Sequence, residues 1–186
     1  LLIHDVDVWT HGVDAIEDRF REAMAGAYVA LDRLRGEGVV AGIGIGVNEA
    51  DMCVRFAQAG SFDTMLLAGR YSLLEQAALA HFLPLAERQG IGVLLGGVFS
   101  LGILATGAAQ DAKYNYRDAP PHILAAVADI QRVCDAHGVA LSTAALHFAL
   151  GHPAVASVVL GGQAPQEVER NVAALSSKVP AALWAD

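Results

Sequence analysis

His4 and Asp5 follow directly on Leu1, Leu2 and Ile3, an apolar run that reads as a buried strand ending in an imidazole and a carboxylate. Parallel α/β proteins present functional side chains at the carboxyl ends of their strands. An imidazole there can polarise a substrate oxygen or relay a proton, so His4 is the first candidate for chemistry. Comparable residues follow the later apolar runs: Asn48 after Val47, Arg70 and Tyr71 after Gly69, Gly96 and Gly97, and Gly161 and Gly162 ahead of Pro165 and Glu167. Arg70 is suited to supporting a site by reaching a nearby carboxylate. Trp9 either walls a substrate site or plugs the space beneath a loop. Tyr114 and Tyr116 flank Asn115 and form either a lid or the anchors of a surface loop. His4 with Asp5 and Asp7 also has the makings of a metal site, as in barrel hydrolases, but such sites take further histidines from other strand ends. The remaining histidines do not supply them. His81, His122, His137 and His147 fall in helical patterns, His152 precedes Pro153 at a helix end, and His11 sits in a loop. No metal site is expected.

The elements that must position these residues repeat one unit of strand, polar turn and helix. The spacing of Ile16, Phe20, Ala23, Ala27, Leu31 and Leu34 predicts a helix over 14–34. Strands are predicted over 39–47, 64–69, 92–97 and 156–160. Asn48 is the expected N-cap of a helix over 49–59, and a helix from the Arg70 region to about Arg88 is expected to kink or divide at Pro84. Residues 105–121 read as a loop, 122–137 as a helix, and Ser142 as the cap of a helix running to Gly151. A last helix follows Pro165, and 180–184 closes the chain. Strands apolar on both faces and separated by helices imply a parallel sheet with right-handed crossovers. Glycine-rich segments at four successive strand ends favour a barrel, which gathers its strand ends around one mouth, over an open sheet. A complete (β/α)8 barrel takes eight strands and this chain shows five, so either three precede residue 1 or the fold is an open sheet.

Composition limits the partners. The 186 residues are 54% hydrophobic, enough for one sizeable core. No apolar run reaches the roughly 18 residues of a membrane span, and no signal peptide is visible. Lys plus Arg is 12 and Asp plus Glu is 20, a net charge of −8. That balance argues against nucleic acid or an anionic membrane as partner. Cys53 and Cys134 lack C-x-x-C spacing and read as buried thiols in a reducing, cytoplasmic setting. A small-molecule substrate and a monomer or small homo-oligomer are expected.

The run from Gly161 to Asn171 is a glycine turn leading into a helix start. It suits a phosphate on free backbone amides, or it is only a tight turn with Pro165 in the first helical turn. No G-x-G-x-x-G opens a helix, because the G-I-G-I-G of Gly42 to Gly46 lies within a strand.

The ordered motifs L-I-H-D, I-G-I-G-V-N, L-L-A-G-R-Y-S-L-L, G-V-L-L-G-G-V-F-S-L-G and H-P-A-V-A-S-V-V-L-G-G followed by E-R-N resemble the aldo-keto reductases over essentially the whole chain. They are most similar to the branch of D-threo-aldose (L-fucose) 1-dehydrogenases and pyridoxal 4-dehydrogenases, and they correspond to that barrel from its fourth strand to its end. The resemblance implies that His4 is the active-site histidine. The family's aspartate, tyrosine and lysine, on earlier strands, have no counterpart here. Asp5, Trp9 and Tyr71 are the expected substrate contacts. The expected cofactor contacts are Gly46 and Asn48, then Gly96, Gly97, Phe99 and Gly102, then Gly161, Gly162, Gln163, Glu167, Arg170 and Asn171. Asn48 matches the carboxamide-holding residue after a small shift. The family's glutamine falls at Ala68 and its stacking tyrosine at Gly96, leaving Phe99 or a loop aromatic as substitute. The lysine and arginine that grip a 2′-phosphate fall at Gly161 and Glu167, and Asn171 matches the adenine contact, so NAD is expected over NADP. The implied reaction oxidises the anomeric hydroxyl of an aldose, or the hemiacetal of pyridoxal, to a lactone. Two alternatives stand beside it: a non-catalytic NAD-binding barrel module and a metal-dependent barrel hydrolase.

Overall fold

A computed structural model describes residues 1–109 and 111–185. In chain order the strands are β1 (Leu2–His4), β2 (Gly44–Val47), β3 (Thr64–Ala68), β4 (Gly92–Gly96), the short β5 (Lys113–Tyr114) and β6 (Arg117–Asp118), and β7 (Val155–Val159). Five of them form one sheet in the order β1-β2-β3-β4-β7, and β5 pairs with β6 in a separate hairpin. Every neighbouring pair in the large sheet is parallel, so all five carboxyl ends share one edge.

Between the strands lie α1 (Val8–His11), then α2 (Ile16–Glu22), which continues through a π-helical stretch, Ala23–Tyr28, into α3 (Val29–Gly36). The chain goes on through α4 (Ala50–Ala59), α5 (Phe82–Gln89), α6 (Ile103–Thr106), α7 (Pro121–Ala136), α8 (Leu141–Leu150) and α9 (Pro165–Ser176). No single helix among the described residues is long and apolar enough to cross a membrane.

Strand alternation divides the sheet into two unlike faces. Ile45, Val47, Met65, Leu67, Val93 and Leu95 point to the helix-covered face and are essentially inaccessible to water. Phe56 of α4 and Phe82 of α5 meet them there, each fully buried. Complete burial of one such ring contributes roughly 1.5–3 kcal/mol. The opposite face carries the register row His4, Gly46, Leu66, Leu94 and Ser157. Gly46 is buried there, Leu66 and Leu94 are half-buried, and His4 stands exposed at the outer end. Gly44 is required on this face, because a Cβ there would lie 2.0 Å from the Thr64 carbonyl oxygen. A second cluster, with Ile103, Leu104, Val127, Leu141 and Ala145, packs α6, α7 and α8 beyond β4.

The structure amends several element boundaries. The predicted strand over 39–47 shortens to β2, because Gly38 in a left-handed turn delays the chain's entry into the sheet. Asn48 does not cap α4. The cap position is Glu49, and the Asn48 side chain is drawn to Asp5 and Asp7 instead. Residues 71–81 form turns and a short 3-10 segment rather than a long helix. Pro84 sits in the first turn of α5, where its missing N–H costs nothing. Ser142 lies inside α8, whose cap is Ala140. The expected loop over 105–121 contains the β5–β6 hairpin, whose Asn115 and Tyr116 both take positive φ, the geometry a tight two-residue turn needs. Gln110, in the same stretch, lies outside the described residues.

Candidate functional site

A cleft of about 150 Å³ opens at the carboxyl edge of the sheet. Its walls come from the ends of β2 (Asn48), β3 (Ala68, Gly69, Arg70) and β4 (Gly97, Ser100, Leu101), from Trp9 on α1, and from Tyr114, Asn115 and Tyr116 of the hairpin.

Asp7 builds one side. Its side chain is buried and accepts from Thr10 N (2.9 Å), Asn48 N (2.7 Å) and Asn48 Nδ2 (2.9 Å). The first of these bonds caps α1, which is why Val8–His11, with His11 expected in a loop, form a helix that carries Trp9 to the cleft. Burial works to raise the Asp7 pKa, but the Asn48 and Thr10 donors outweigh it and hold the carboxyl below its ordinary value. Glu49 reinforces the junction by accepting from Val8 N at 3.0 Å.

Arg70 builds the other side. Its Nε donates to the Asn48 carbonyl at 2.9 Å, and its guanidinium lies 5.4 Å from the Trp9 ring centroid. One terminal nitrogen reaches Glu75 Oε1 and Asn115 Oδ1, each at 3.4 Å. The Tyr114 hydroxyl also donates to Glu75. Burial, then the bond to Glu75 and that residue's charge, push the Tyr114 pKa up to about 12, so it remains a donor near neutrality. The hairpin is thus tied to the β3 end by one arginine and one carboxylate. The loop after β4 is strained: Ser100 and Leu101 have φ of 48° and 59°, values that L residues adopt at a cost of about 1–2 kcal/mol each.

The residues singled out in the sequence fall into three groups. Trp9, Asn48, Gly97 and the Tyr114–Tyr116 segment come together in the cleft. His4 and Asp5 lie one strand over. The His4 side chain is 82% exposed with Nε2 3.5 Å from Asp5 Oδ1, and Asp5 accepts from Asn48 Nδ2 at 3.2 Å. Gly46 is beside them, and an added Cβ would find the His4 ring at 3.9 Å. The third group, Gly161, Gly162, Gln163, Glu167, Arg170 and Asn171, sits beyond β7 at the far lateral end of the same edge. There Glu167 folds back to accept from Gln163 N at 2.8 Å, placing a carboxylate over the turn.

Two expected contacts need correction. Tyr71 is buried, with its ring 5.1 Å from that of Phe148, so core packing keeps it from a substrate. Phe99 packs against both core clusters and does not wall the cleft, whose aromatics are Trp9, Tyr114 and Tyr116. Gly102 is the N-cap of α6 with φ of 97°, a conformation that favours glycine. Glu75 and Leu101 carried no signal in the sequence, because only the turn after β3 and the strained loop after β4 bring them to the site. Asp7 did carry one, as an aspartate three residues before Thr10 at a helix start.

The model of the Aldo/keto reductase family matches residues 1–186. The chain belongs to the aldo/keto reductases. A pyridoxal 4-dehydrogenase from Microbacterium luteolum is 37% identical over 185 residues, covering 99% of this chain and 54% of that protein. A D-threo-aldose 1-dehydrogenase from a Pseudomonas species is 36% identical over 165 residues, covering 88% and 50%. This aldo/keto reductase chain thus spans about half the length of the curated relatives it matches. The solved apo form of an aldo-keto reductase from Bacillus halodurans superposes with a TM-score of 0.64 at 22% identity, covering 82% of this chain and 51% of that one. The likeness shows the fold: the five parallel strands are a part of a (β/α)8 barrel.

Proposed function

We propose that these residues form the carboxyl-terminal portion of a single aldo/keto reductase barrel domain in an NAD-dependent dehydrogenase. The substrate is the anomeric hydroxyl of an aldose, or the hemiacetal of pyridoxal, and the product is a lactone. The observation that carries this reading is the extended similarity to a pyridoxal 4-dehydrogenase and a D-threo-aldose 1-dehydrogenase, at 37% and 36% identity.

The residues present suit a nicotinamide dinucleotide. Asn48 offers an amide at the cleft for a carboxamide, and the turn from Gly161 to Glu167 offers glycine backbone with a carboxylate that accepts from a ribose hydroxyl and repels a 2′-phosphate. The cofactor supplies the hydride acceptor, and the protein supplies position and polarity. His4, on the inner face at the end of β1, orients the substrate hydroxyl, while Trp9 and Arg70 close one wall against water. The hydrolase alternative gains no support, since the described residues hold no group of three or more His, Cys, Asp or Glu side chains able to share a metal.

The test is NADH formation by the full-length protein with L-fucose, D-arabinose, L-galactose and pyridoxal. Turnover with at least one of them, and tighter binding of NAD than of NADP, is expected. NAD binding without turnover of any would favour a non-catalytic NAD-binding module, acting through a small-molecule signal rather than a reaction.

A further inference from the structure

The Asn48 side chain faces two carboxylates at once. Its Nδ2 lies 2.9 Å from Asp7 Oδ2 and 3.2 Å from Asp5 Oδ1. Ionised carboxylates only accept, so the amide nitrogen and not the amide oxygen must be the atom turned towards them. Chemistry therefore settles the orientation of this amide. Both N–H groups are committed, and Oδ1 is left as the polar atom of Asn48 with no partner among the described residues. Asn48 is also a wall of the cleft, whereas Asp5 and Asp7 are not.

We propose that Asp7 is a positioning residue: its buried carboxylate, assisted by Asp5, fixes the Asn48 amide so that the cleft presents a hydrogen-bond acceptor and selects ligands bearing an N–H donor. This rests on the cofactor reading above and goes beyond it. It assigns the polarity of the contact to a residue that itself touches no ligand. Burial and three donated hydrogen bonds make the arrangement rigid, since each donor would be left unpaired if Asp7 moved. The backbone of Asn48 is clamped as well, between Asp7 on its N–H and Arg70 on its carbonyl, so side-chain rotation is the freedom that remains.

Replacing Asp7 by Ala removes the acceptor that serves both the Asn48 backbone N–H and its Nδ2. The Asn48 amide would then be held by Asp5 alone and would be free to turn. The cleft would present donor and acceptor alike.

The experiment compares binding of NAD with that of its 3-acetylpyridine analogue, in which a methyl ketone replaces the carboxamide and the N–H donor is lost. Calorimetric titration of the full-length wild-type protein is expected to show NAD preferred by about fivefold, the factor one neutral hydrogen bond supplies. In Asp7→Ala that preference falls to about one. A merely structural role for Asp7 would weaken both ligands equally and leave their ratio in place. Asp5→Gly serves as the second variant should Asp7→Ala fail to fold, because glycine tolerates the left-handed φ of 54° at that partly buried site and removes the second acceptor. It shifts the ratio in the same direction by about twofold, as befits the longer bond. An unchanged ratio in the folded variants overturns the role given to Asp7 while leaving the cofactor reading intact. Failure of the wild-type protein to bind NAD overturns that reading and this proposal together.

Discussion

At the scale of single residues, the site is a set of commitments between side chains rather than a row of free functional groups. Arg70 spends its nitrogens on the Asn48 carbonyl, Glu75 and Asn115, and so acts as a brace. His4 is the reverse case. It is largely exposed at the end of β1 and its near neighbour is Asp5, which leaves its ring available to a substrate hydroxyl. On the proposed reaction, His4→Ala in the full-length protein should lower kcat by about 100-fold or more, the usual scale for losing one polarising or proton-transferring group. Steady-state kinetics showing unchanged turnover would clear His4 of that role. Cys53 and Cys134 are buried, and burial raises both thiol pKa values, with the Asp7 charge adding to it for Cys53 and that of Asp135 for Cys134. The native chain should therefore resist alkylation by iodoacetamide at neutral pH, and mass spectrometry should find both thiols unmodified until denaturant is added.

Elements matter here mainly through what ties them together. The hairpin β5–β6 has few residues of its own in the core and depends on the Tyr114–Glu75 and Arg70–Asn115 bonds for its position over the cleft. Tyr114→Phe should raise amide exchange across residues 113–118 by about fivefold or more, the population change that follows from losing about 1 kcal/mol. The rest of the sheet should be unaffected. The junction of α1 with β2 is sensitive to acid. Asp7 has a folded pKa below the ordinary value of 3.8, so the stability it contributes is present above the unfolded-state value and is lost as pH falls through the lower folded value. Asp63 behaves likewise: burial opposes its ionisation, but Ile43 N and Arg35 more than compensate. Urea unfolding followed from pH 6 to about 3 should show the midpoint falling below about pH 4, with a smaller fall in Asp7→Asn. An equal fall in the two proteins would remove Asp7 from the account.

For the whole molecule, the two outermost strands set the behaviour. Leu1 and Leu2 at β1, and Val159 with Val168, Val172 and Leu175 near β7 and α9, expose apolar surface at the two lateral ends of the sheet. A parallel sheet open at both ends presents unpaired amides beside that surface. On the reading of these residues as the carboxyl-terminal portion of the barrel, a longer chain carrying the other strands covers both ends. The 186 residues alone should then bind the dye ANS, and the longer protein should not. Equal dye binding by both would count against the barrel portion proposed here.

The order of strands and helices could be read from apolar runs and glycine breaks, because burial on a parallel sheet leaves a direct mark on composition. The placement of His4, Asn48 and Gly97 at strand ends was legible for the same reason: residues just past a buried run must emerge at one edge. Other features were not legible. The burial of Tyr71, the packing of Phe99 against both core clusters and the arrival of Leu101 at the cleft depend on contacts between segments far apart in the chain. So does the orientation of the Asn48 amide, which follows from carboxylates 41 and 43 positions away. Local pattern determines which segments are buried and where they end. Tertiary packing decides where each emerging side chain goes, because that choice is made by the hydrogen-bond partners and free volume it meets in space.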